Sequence, residues 1–137
     1  MHLPTFHSTR FPLQNLLYVG LGGAIGSILR YAVGLWAIRL FPAASLPVGT
    51  LSVNVMGCLI LGLLAGISEA RDLISDEVRL LVMVGLLGGF TTFSTFGAET
   101  IALFRASQRL LPVVYVVGSA TLGVGAAWIG HWVGRSV

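Results

Sequence analysis

Gly88-Gly89-Phe90-Thr91-Thr92-Phe93-Ser94-Thr95-Phe96 concentrates more potential chemistry than any other stretch of the chain. Two adjacent glycines weaken a helix by about 1 kcal/mol each relative to alanine. Four hydroxyl side chains follow within five positions. The flanking residues are apolar enough to lie in a bilayer. There a broken helix leaves carbonyls and amides without partners, which is tolerated only where the break is buried in protein or lines an aqueous path. The stretch therefore points to an ion or water site in mid-membrane. Close helix packing is the plainer alternative, because small residues are common at membrane helix interfaces and Ser and Thr often bond back to their own helix.

Other polar residues fall at spacings that could serve such a site. Thr50, Asn54 and Gly57 are four and three apart and share one helical face. An amide at membrane depth is costly unless paired. Asn54 is either glue between helices or a donor of N–H to a passing anion. Phe93 and Phe96 share a face, and Thr92, Thr95 and Glu99 form another stripe. Glu99 is the only acidic residue inside an expected span, a functional candidate by default. Its place toward the end of that span equally allows contact with interfacial water or an arginine. Tyr115 and Ser119 lie four apart on one face of the last span. Arg30 either serves an ion path or reaches back to the interface, and the anchoring role is the favoured one. Cys58, the single cysteine, reads as a small packing residue. It excludes an internal disulfide and a cysteine-rich metal site. No nucleophile–base pair or metal motif marks an enzyme.

The elements that must position these residues follow from composition. Of 137 residues, 55% are hydrophobic and 9% charged, against about 25% charged in a soluble domain. A span takes about 20 apolar residues, so the chain has room for four spans and short connections. Residues 1–14 read as a tail, in which His2 and His7 are solvated histidines, and residues 15–137 as one membrane domain. The spans are expected at about 16–38, 48–67, 80–104 and 112–133. Gly22 and Gly26 in the first make a GxxxG face for close helix approach. Trp36 with Arg39, and Trp128 and Trp132 around His131, read as interfacial anchors. The loop 68–79 holds four of the five acidic residues, best explained as a solvated interfacial loop.

All eight basic residues are arginine, and the +3 net charge is spread over loops rather than gathered into a nucleic-acid footprint. With four spans, both termini share one side with Arg10, Arg71, Arg79 and Arg135. Arg39, Arg105 and Arg109 lie on the other, with Arg30 near them. Basic bias normally fixes orientation, and here it is close to nil. The chain should insert both ways up, which allows an antiparallel two-fold homodimer.

Gly23-Ala24-Ile25-Gly26-Ser27-Ile28-Leu29-Arg30-Tyr31, Gly49-Thr50-Leu51-Ser52-Val53-Asn54-Val55-Met56-Gly57 and Gly85-Leu86-Leu87-Gly88-Gly89-Phe90-Thr91-Thr92-Phe93-Ser94-Thr95-Phe96-Gly97-Ala98-Glu99 resemble the Fluc (CrcB) fluoride channels. The resemblance covers all four spans in order, and its third block is the most specific. It implies an all-α membrane fold with four helices per subunit, a break in the third, and an antiparallel dual-topology homodimer with two anion pores. It implies a structural Na+ at the dimer centre, held by backbone carbonyls of Gly88 and Thr91 from both subunits. Phe93 and Phe96 match the family's pore phenylalanines, whose positive ring edges can face a small anion. Asn54 matches the pore asparagine; Thr50, Tyr115 and Ser119 match a polar line, with Ser94 and Thr95 adding hydroxyls. Arg30 would attract anions at a vestibule. Gly123 departs from the pattern, standing one turn beyond Ser119 where a continued polar line would want a hydroxyl.

The implied function is passive export of fluoride through the plasma membrane of a bacterium. An inside-negative potential drives each anion outward by about 2.3 kcal/mol per 100 mV, so no coupling domain is required. Two other classes are considered. A small proton-coupled four-span exporter would need a mid-membrane carboxylate, and Glu99 is off-centre. A structural membrane subunit would only pack against a larger complex.

Overall fold

Pro12 opens the first helix, its fixed φ of −66° preceding a run that begins at Leu13. The computed structural model describes residues 12–71, 73–106 and 110–137; His2, His7, Arg10, Asp72 and Arg109 lie outside them. Helix α1 (Leu13–Leu40) starts within the stretch expected to be tail and ends two residues before Pro42, which cannot continue it. Helix α2 (Val48–Arg71) follows Pro47. The short α3 (Asp76–Val78) is capped by the Ser75 hydroxyl, which accepts from the Val78 amide, and carries Asp76 and Glu77 at its positive end. It runs into a π-helix (Arg79–Leu86) and then α4 (Leu87–Phe90). Helix α5 (Phe93–Arg105) resumes after the break, and α6 (Leu111–Ser136) begins with Pro112 in its first turn. These make four spans: Leu13–Leu40, Val48–Arg71, Asp76–Arg105 and Leu111–Ser136. The described residues contain no strand. The protein is an all-α, multi-pass membrane protein, its helices running up to a few residues beyond the expected apolar cores, except at the start of α2, which falls at the expected Val48.

Packing between spans is backbone against backbone. A Cβ on Gly22 or Gly26 of α1 would strike the carbonyl of Leu81 or Leu86 in the third span. One on Gly89 would in turn strike the Gly23 carbonyl. The α2–α6 pair repeats the device more thoroughly. Gly62 and Gly66 face the carbonyls of Ala127 and His131, while Gly130 and Gly134 face those of Leu59 and Leu63. In lipid there is little hydrophobic drive between helices, so such close van der Waals contact is what holds them. The GxxxG face at Gly22 and Gly26 was legible in the sequence; the matched pairs on α2 and α6 were not singled out there.

The third span breaks as expected, but not at the two glycines. Gly88 and Gly89 are still helical in α4. The chain turns extended at Thr91 (φ −84°, ψ 159°) and Thr92 (φ −151°, ψ 119°). Gly89 serves close approach to α1, whereas the break itself is set by the polar contacts of Thr92 described below. The π-helical segment before it had no signature in the sequence. Single-turn π segments commonly mark functional stretches.

Much of the apolar surface faces outward. On α1, Leu21, Ile25 and Ile28 are exposed, and Phe93 on α5 is 84% exposed. Helix α5 has no fully buried residue. Lipid covers such a surface at no hydrophobic cost.

Candidate functional site

Asn54 and Thr92 form a two-way clasp across the spans. The Asn54 Nδ2 donates to the Thr92 carbonyl at 3.1 Å, and the Thr92 amide donates to Asn54 Oδ1 at 2.8 Å. Both polar ends of one side chain thus take up both backbone polar groups of one residue in the break. This is the gluing role foreseen as one of two readings for Asn54. The second amide hydrogen, with no contact in the structure, keeps the donor role open. Thr92 also caps α5: its Oγ1 accepts from the Thr95 amide at 3.3 Å, lies 3.3 Å from Ser94 Oγ, and donates to Thr95 Oγ1 at 3.0 Å. The positive end of α5 therefore sits at the break, beside Ser94 and Thr95.

The same contacts release two carbonyls. In an unbroken helix the Gly88 carbonyl would accept from the Thr92 amide, which goes instead to Asn54. The Thr91 carbonyl would accept from the Thr95 amide, which goes instead to Thr92 Oγ1. The Thr91 amide and hydroxyl both return to the Leu87 carbonyl at 3.0 Å, closing α4. Gly88 is exposed, and a Cβ there would meet nothing within 4 Å. Two neutral oxygens freed from helix bonding are ligands of the kind a hard cation takes. Among the described residues no group of three His, Cys, Asp or Glu could hold a metal through side chains.

Arg30 reaches across to the third span. Its Nη1 donates to the Thr91 carbonyl at 3.4 Å, while α1 continues beyond it to Leu40. Glu99 meets neither an arginine nor open water alone. Thr50 Oγ1 donates to one carboxylate oxygen and the Tyr115 hydroxyl to the other, each at 2.7 Å. Thr50 and Tyr115 are buried. Three spans thereby converge on one carboxylate.

The aromatic residues connect these groups. Phe93 and Phe96 have ring centroids 5.6 Å apart and tilted by 39°, and Phe96 lies 5.1 Å from Tyr115 at 45°. Tilted rings point edges toward neighbouring faces. Ser119 Oγ is buried with no hydrogen-bond partner. It lines a cavity of about 400 Å³ together with Asn54, Gly88, Phe93 and Phe96. Arg30, Thr50, Thr95 and Glu99 line a second cavity of about 530 Å³. Thr92 belongs to the walls of both. Gly123 faces the first cavity opposite Cys58, whose Sγ would lie 3.5 Å from a Cβ at Gly123.

Every candidate residue named from the sequence falls within this region. The partners of Glu99, the clasp to Thr92 and the cross-span reach of Arg30 were not foreseen, since they join residues far apart in the chain. At the far end of α2 and α6, His131 Nε2 lies 3.2 Å from Glu69 and Arg135 lies 3.9 Å from it. The histidine thus has a protein partner rather than headgroups alone.

Four spans, the third of them broken, with two cavities that share Thr92 at the break, define a small multi-pass membrane protein with its polar groups gathered at that break. The chain belongs to the CrcB family: the model for CrcB-like protein, Camphor Resistance (CrcB), matches residues 17–131. A protein of Chloroflexus aurantiacus described as "Fluoride-specific ion channel FluC" is 46% identical over 123 residues, covering 90% of this chain and 97% of the relative. One of Allorhizobium ampelinum with the same description is also 46% identical over 123 residues, covering 90% and 98%. A third, from Oceanobacillus iheyensis, is 44% identical over 118 residues, covering 86% and 89%.

Proposed function

We propose that this protein is a fluoride-selective passive ion channel. Fluoride passes the break in the third span beside Phe93 and Phe96. The observation that carries the reading is the meeting of two cavities at Thr92, with an unpartnered buried hydroxyl, Ser119 Oγ, in the wall of the first. A buried donor without a partner costs about 1–3 kcal/mol. A small anion accepting from Ser119 and from the free hydrogen of Asn54 removes that cost. The ring edges of Phe93 and Phe96 supply weak positive potential in place of lost water. A larger halide fits such a lining poorly. Beyond the break, the Thr95 hydroxyl continues the donor line, while Thr50 and Tyr115 each give their single hydroxyl hydrogen to Glu99, which fixes both side chains in place. Arg30 places positive charge in the second cavity.

Two copies assemble antiparallel, each contributing a broken third span at the common axis. The exposed Phe93, the bare α5 and the near-equal arginine distribution support this arrangement. The freed carbonyls of Gly88 and Thr91 from both copies would hold a sodium ion, which would join the subunits and add positive field near the anion path. The names of the relatives support fluoride as the permeant ion. Purified protein in liposomes tests the proposal: fluoride should leave on adding a potassium ionophore, while chloride stays. Retained fluoride overturns it.

A further inference from the structure

We infer that Arg30 makes the cation site at the break selective for a monovalent ion. The inference rests on the sodium reading above. Neutral carbonyl oxygens are hard ligands that accept Ca2+ as readily as Na+. The carbonyls of Gly88 and Thr91 alone therefore give little reason to exclude a divalent ion. What differs here is the guanidinium on the same oxygen: Arg30 Nη1 donates to the Thr91 carbonyl at 3.4 Å. A cation on that carbonyl lies within a few ångströms of a fixed positive charge, in surroundings of low dielectric. Coulomb repulsion scales with the product of the charges, so a divalent ion pays twice what a monovalent one does.

The guanidinium is the charge in direct contact with the Thr91 carbonyl. Glu99 lines the same cavity, but its two oxygens are turned to the Thr50 and Tyr115 hydroxyls rather than to that carbonyl. Among the described residues no ion pair joins it to Arg30. An arginine stays charged at any working pH, so the repulsion is permanent. Arg30 is thus a positioning and specificity-determining residue that acts on the cation through the Thr91 carbonyl.

The test uses thermal unfolding of the full chain in detergent, titrated with NaCl, CaCl2 or choline chloride at matched chloride. In the parent, Na+ should raise Tm and Ca2+ should not exceed choline. Arg30→Gln should lower the preference for Na+ over Ca2+ by about tenfold or more, and Arg30→Lys, which keeps the charge, should retain it. Equal stabilisation of the parent by Ca2+ and Na+ overturns the inference, even if Arg30→Gln does not fold. So does an unchanged preference in Arg30→Gln, or a lost one in Arg30→Lys. A parent whose Tm ignores Na+ while liposomes still release fluoride removes the sodium reading and this inference with it. The fluoride reading would then remain.

Discussion

Asn54 spends its carbonyl and one of its two amide hydrogens on the backbone of Thr92. An aspartate there keeps the acceptor, loses the donor and sets a negative charge against both the Thr92 carbonyl and an approaching anion. Asn54→Asp should lower fluoride efflux by an order of magnitude or more, on the scale of about 1.4 kcal/mol per factor of ten; parental flux would leave Asn54 as packing alone. Phe96 touches both Phe93 and Tyr115 through tilted rings. Phe96→Ile keeps the volume nearly constant and removes the ring edges. Efflux should fall while size-exclusion behaviour is unchanged, and a variant that conducts normally would remove the aromatic path. At this scale the residue types were legible: Asn54, Phe93, Phe96, Ser119 and Glu99 stand out because amides, acids and paired rings are unusual in apolar spans. Their partners were not, because Asn54 and Thr92 are separated by 38 positions and periodicity carries no information about contacts between helices.

The position of the break illustrates a similar limit for elements. Adjacent glycines mark weak helix, and Gly88-Gly89 stand just ahead of the extended residues. The helix nevertheless survives through Phe90, because Gly89 is held against Gly23 and the capping hydroxyl belongs to Thr92. Backbone propensity located the weakness within three residues, and tertiary polar contacts chose the exact peptide. On α2 and α6 the glycines at 62, 66, 130 and 134 admit carbonyls of the opposing helix. Gly130→Leu should therefore separate the two helices, with a loss on the order of 3 kcal/mol or more and a lower Tm in detergent. Gly20→Ala, where a Cβ meets nothing within 4 Å, should leave Tm within a few degrees of the parent. Equal Tm values for both variants would contradict the close packing of α2 on α6.

At the level of the whole molecule, four apolar spans were plain from composition, since 9% charged residues cannot clothe a soluble surface. The near-absence of orientational bias was equally plain. Adding lysines to the connection around Ala43 and Ala44 should drive one orientation. Such a variant expressed alone should lose fluoride efflux, and efflux should return when it is expressed with a variant biased the other way by lysines near Arg71. Full activity from either biased variant alone would contradict the antiparallel pair. The measurement that bears most directly on the whole proposal remains ion efflux from liposomes holding the purified parent protein. Fluoride should leave rapidly once an ionophore relieves the charge, with no proton gradient imposed and chloride retained. Vesicles that hold their fluoride, or that release chloride equally fast, would contradict it.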